Sequence, residues 1–65
     1  MKIRYFEDTD TLYIEIKAGA VAETRDLDEN TLVDVDEHGQ MLAITIEHAR
    51  DCAELPNFSF EKIAA

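Results

Sequence analysis

The sequence has a single cysteine, Cys52, so no disulfide can form within the chain. Packing and hydrogen bonds must hold the fold, and the composition suits a reducing compartment. There is one serine, Ser59, with no nucleophile motif around it. The two glycines, Gly19 and Gly39, stand alone, which argues against a glycine-rich phosphate loop. Basic residues are scarce: 6 Lys and Arg stand against 15 Asp and Glu, for a net charge of −9. That balance speaks against nucleic acid, whose phosphates must be neutralised by Lys and Arg, and for a basic protein partner. No apolar run approaches the roughly 20 residues that span a bilayer, so no membrane partner is expected. Met1-Lys2-Ile3-Arg4 leads into Tyr5, Phe6, Glu7 and Asp8, unlike a signal peptide, and the expected location is the cytoplasm.

What is present is a run of alternating segments in 65 residues, enough for one domain over 1–65. A chain this short buries only about 60% of the surface its unfolded form exposes, so its core is thin and a partner surface helps. The clearest segment is a hairpin from Thr31 to Ile46. Val33 and Val35 share one side of its first arm, and Leu32, Asp34 and Asp36 the other. Leu42, Ile44 and Ile46 share one side of the second arm, and Met41, Ala43 and Thr45 the other. Gly39 falls in the turn, where positive φ is easiest for glycine.

Three more strands precede this hairpin. Met1 to Phe6 forms the first, and Glu7 to Asp10 its turn. Thr11 to Lys17 forms the second, with Leu12, Ile14 and Ile16 inward. Ala18-Gly19-Ala20 is a break, and Val21 to Leu27 a weaker strand whose mixed charges suit an edge. Helix formers from Glu47 to Leu55 predict a short helix that ends at Pro56, with Cys52 as a second candidate start. Asn57 to Ile63 reads as a short strand or extended tail. The expected fold is α+β and mostly β: an antiparallel meander of about five strands with a C-terminal helix and tail over 47–65. One helix cannot cover a five-stranded sheet. Leu32, Met41, Tyr13, Phe6, Phe58 and Phe60 are candidates for the less covered face, which would then mark an interaction site.

No constellation of residues names a reaction. Asp34-x-Asp36-x-x-Gly39 begins like a calcium loop, but the twelfth position is Thr45 where a bidentate Glu is needed. His48 and Cys52 are four apart, the spacing of two ligands on one helix face, with His38 as a third candidate. Zinc wants four ligands, and a partly buried helix face explains the spacing as well. Cys52 with His48 could be a nucleophile and base, but nothing supplies orientation or an oxyanion site. No catalytic residues, cofactor or enzyme activity are therefore expected.

Taken together, Ile3-x-Tyr5, Asp10-x-Leu12-Tyr13-Ile14, Val21-Ala22-Glu23-Thr24, Asp34-x-Asp36-x-x-Gly39 and Ile44-x-Ile46-x-x-Ala49 resemble the domain of unknown function 2283 family over about residues 1–50. Phe6 stands where that family often has an acid, and Ala43 and Thr45 replace its usual Gly and Glu. The resemblance implies a small bacterial or archaeal β-rich protein with no established activity. It also implies an antitoxin-like binder, because some relatives sit beside small toxin-like proteins.

Two expectations follow. The first is a non-enzymatic interaction module, a homodimer or a binder of a small basic protein, with Tyr13, Glu15, Glu23, Asp34 and Asp36 as contact residues. The second is a small-molecule or metal-binding protein using His38, His48, Cys52 and the acidic turn. Thermal unfolding with Zn²⁺, Ni²⁺ and Ca²⁺ separates them. The first predicts no change in midpoint, and a rise with any of these metals would favour the second.

Overall fold

The computed structural model describes residues 1–52 of the chain. Five strands form one antiparallel sheet: β1 (Lys2–Phe6), β2 (Thr11–Glu15), β3 (Glu23–Asp28), β4 (Thr31–Val35) and β5 (Met41–Glu47). A single-turn helix, α1 (Ala49–Cys52), follows. The expected mostly-β sheet with a short helix after it is present. The stretch 53–65, on which the end of the expected helix and the extended tail fall, lies outside the described residues.

Strand order is β1-β2-β5-β4-β3. It departs from a sequential meander in one place: β5, not β3, lies beside β2. The chain makes the β1–β2 hairpin, crosses to the far edge, and returns through β3 and β4 to fill the gap. The crossover, Ile16 to Ala22, spans three strand spacings of about 4.8 Å, which seven residues cover easily. It stays at one end of the sheet because β2 and β3 run antiparallel across the intervening pair. Ile16 and Lys17 both donate their N–H groups to the Leu42 carbonyl, at 2.7 and 3.2 Å. Ala22 N–H then donates to the Val35 carbonyl at 2.9 Å.

Register assigns every side chain to a face. Ile3 lies opposite Ile14, Leu12 opposite Ile46, and Ile14 and Val33 flank Ile44, so all share one face, the core face. Leu12, Val33, Val35 and Leu42 are buried there. The crossover covers its end at Leu42: a methyl at Gly19 would sit 3.0 Å from a Leu42 side-chain carbon. The other face carries Arg4, Tyr13, Thr45, Leu32 and Asp26 in one row. The row beside it is Lys2, Glu15, Ala43, Asp34 and Thr24. Ala43 is buried on this outer face because Glu15 and Asp34 flank it on the neighbouring strands. The side assignments read from the alternating hairpin hold. Between Asp34 and Val35 the register shifts against β5, leaving Leu42 as the extra residue of a bulge.

The helix begins earlier than Cys52, and its start is held from a distance. Asp10 and His48 have positive φ, 54° and 53°. Ala49 N–H donates to the Asp10 carbonyl at 2.9 Å, and Arg50 N–H donates to the Asp10 carboxylate at 3.2 and 3.3 Å. Asp10 thus does the work of an N-cap from forty residues away, and Ala49 beside it is fully buried. Tyr5 Oη donates to Asp10 Oδ1 at 2.6 Å, and the Arg50 guanidinium lies 5.9 Å from the Tyr5 ring centroid, within cation–π range.

Asp10→Ala removes the acceptor for Tyr5 and Arg50 and places a β-carbon residue in left-handed backbone without its side-chain bonds. We expect a loss of about 1–2 kcal/mol in urea unfolding, with Asp10→Asn losing less, since asparagine tolerates that backbone. Gly39→Ala, at φ 78° with open space around it, should cost about 1 kcal/mol from backbone strain alone.

Candidate docking surface

The crossover and the β4–β5 turn stand side by side at one end of the sheet. Between them is a cleft of about 320 Å³, lined by Gly19, Ala20, Val21 and Ala22 on one wall and by Asp36, Glu37 and His38 on the other. The first wall is apolar and shallow, with Val21 55% exposed. The second is built by the turn itself. Asp36 Oδ1 accepts the N–H groups of His38 and Gln40, both at 2.9 Å, and the Asp36 carbonyl accepts Gly39 N–H at 3.0 Å. Asp36 is therefore spent on shaping the turn. Its neighbour Glu37 projects freely, its only ion pair among the described residues being His38 Nε2 at 3.5 Å when that ring is protonated. Lys17 Nζ donates to Gln40 Oε1 and ties the crossover to the turn.

Acidic groups continue from the cleft along the β3 edge, where all six residues are exposed. Glu23 pairs with Arg25 at 3.2 Å on the surface. Asp34 accepts the Thr24 hydroxyl at 2.7 Å on the outer face. Asp28 Oδ1 accepts Asn30 N–H at 2.8 Å in the β3–β4 turn. That bond, with the Thr31 hydroxyl second, holds the Asp28 carboxyl below the ordinary aspartate range. Donating to Asp10 keeps the Tyr5 phenol protonated, so its pKa lies above the usual value of 10.0.

The five proposed contact residues therefore separate. Asp36 belongs to the cleft wall and Glu23 starts the edge strand beside it. Tyr13, Glu15 and Asp34 lie together on the outer face. His48 precedes α1 in left-handed backbone, so His48 and Cys52 are not a helical i, i+4 pair. His38 lies at the far end of β5, about 20 Å from His48 by strand rise. Among the described residues no group of three or more His, Cys, Asp or Glu side chains is placed to hold a metal ion. What the sequence did not show is Asp10 as the centre of a knot joining β1, the first turn and α1. Its only local sign was an aspartate closing a turn.

Fold and surface together define a small single-sheet β protein with an acidic cleft and edge. The family model Protein of unknown function (DUF2283) matches residues 2–50, and the chain belongs to that family. No curated protein and no solved structure matches the chain. No helix among the described residues is long and apolar enough to cross a membrane.

Because the folded Asp28 carboxyl titrates below the ordinary value of 3.8, its contribution to stability is complete above that value and is lost as pH falls through the depressed one. Asp28→Asn should flatten the acid limb of a stability-versus-pH curve. Tyr5 acts in the opposite sense: its contribution is complete below pH 10.0 and is lost as pH rises through the raised value, so Tyr5→Phe should flatten the alkaline limb.

Proposed function

We propose that the chain is a non-enzymatic, self-associating interaction module, antitoxin-like in its use, that binds a small basic protein at the cleft and the β3 edge. The observation that carries this reading is the cleft: an apolar wall at Ala20 to Ala22 faces an acidic one at Asp36 and Glu37. A lysine or arginine side chain has the matching form, an aliphatic stem with a cationic head. The net charge of −9 draws such a partner from a distance and speeds its encounter. The cytoplasm is the compartment where the lone-cysteine composition and such a partner meet most simply.

A tagged chain in lysate of its source organism should recover one small basic protein near one-to-one at low salt and shed it at high salt. Glu23 and Glu37 are the residues to reverse, because Asp36 is needed to hold its turn. Glu23→Lys with Glu37→Lys should slow association of that complex roughly tenfold or more, measured by surface plasmon resonance. Binding that is unchanged in the double variant would sink the assignment of this surface.

A further inference from the structure

The middle row of the core face runs across all five strands: Ile3, Ile14, Ile44, Val33 and Arg25. Among the described residues the segments that lie on this face are fastened at its two ends. The crossover bonds to the Leu42 and Val35 carbonyls, and α1 stands by Asp10 and Tyr5. Arg25, at the edge of the row, pairs with Glu23 in solvent. Yet Val33, inside the row, is only 3% exposed, and Ile14 and Ile44 are half-buried. One antiparallel sheet has two faces, and each meets water unless another layer lies on it. Neighbouring strands close the sides of a valine on the pleat but leave its tip open. The burial of Val33 therefore calls for a cover over the middle of the face, between the crossover and α1.

We propose that this cover is the chain's own stretch 53–65, which lies outside the described residues, and that Leu55, Phe58, Phe60 and Ile63 dock against Ile14, Ile44 and Val33. The stretch begins where α1 ends at Cys52, and the Arg50 guanidinium of α1 already stands over the Tyr5 ring on this face. Its length suffices. Four strand spacings make the sheet about 19 Å wide, and 13 residues reach about 20 Å even at the short rise of a helix. Its composition also fits. It carries four large apolar side chains against three charges, Glu54, Glu61 and Lys62. Phe58 and Phe60 can each remove on the order of 150–250 Å² from water, a large gain for so thin a core. The outer face is the poorer seat, because Glu15, Glu47 and Asp34 stand in its middle. The family match ends at residue 50, so the chain supplies this cover from beyond the matched sheet.

The docking is independent of the basic partner proposed above. Nuclear Overhauser contacts in the full chain test it, in a sample that mixes isotope-labelled and unlabelled chains so that contacts within a chain separate from contacts between chains. The ring protons of Phe58 and Phe60 should contact the methyl groups of Ile14, Ile44 and Val33 within one chain, at every concentration. In urea, Phe58→Ala with Phe60→Ala should raise the unfolding constant about tenfold or more, while Glu61→Gln should change it less than about twofold. Contacts found only between chains would give the face to a second copy and overturn the proposal. No contact from 53–65 to the core face, or a double variant as stable as the wild type, would overturn it too.

Discussion

The sheet depends on β5 entering between β2 and β4. That strand carries both inner ladders, and without it the β1–β2 hairpin and the β3–β4 hairpin have no contact along their strands. A lone two-stranded hairpin is marginal in water, so neither half is expected to stand by itself. The core follows from this arrangement. Leu12 on β2, Val33 and Val35 on β4 and Leu42 on β5 become buried because three strands bring them together on one face. The other buried residues among those described are two alanines, one on the outer face and one beside the helix start. No large side chain among the described residues is fully buried, which fits the thin core expected of so short a chain.

Two devices at opposite ends of the sheet keep β5 in place. At one end the crossover donates two hydrogen bonds to Leu42 and lays Gly19 over its side chain. At the other end Asp10 receives Tyr5, Ala49 and Arg50, so that the first turn and the helix start are fastened as the strand ends. Glu47 N–H adds a bond to the Asn30 carbonyl at 2.7 Å, joining the same end to the β3–β4 turn. The acidic cleft is a by-product of the first device. It exists because the crossover must pass the β4–β5 turn on its way to the far edge.

The two faces of the sheet differ under this organisation. The core face is occupied at both ends by connecting segments. Among the described residues the outer face carries Lys2 and Arg4 on β1, Glu15 on β2, Glu47 on β5, Asp34 on β4 and Asp26 on β3, with Tyr13, Thr45 and Leu32 between them. The edges carry charges that discourage pairing with themselves.

Much of this was legible in the residues. Period-two alternation assigned the strands and the sides of Val33, Val35, Leu42, Ile44 and Ile46, because the pleat alone sets which side each residue takes. The five-stranded mostly-β class, the turn at Gly39 and the family resemblance also came from local pattern. The tertiary structure alone decided that β5 pairs with β2, that His48 stands outside the helix, that Asp10 caps a helix forty residues away, and that Asp36 shapes a turn while Glu37 stays free. The physical reason is that alternation marks faces but not neighbours. Any antiparallel strand with an apolar side can pair with several others, and the choice among them depends on how far a connection can reach and which distant groups it leaves to be hydrogen-bonded.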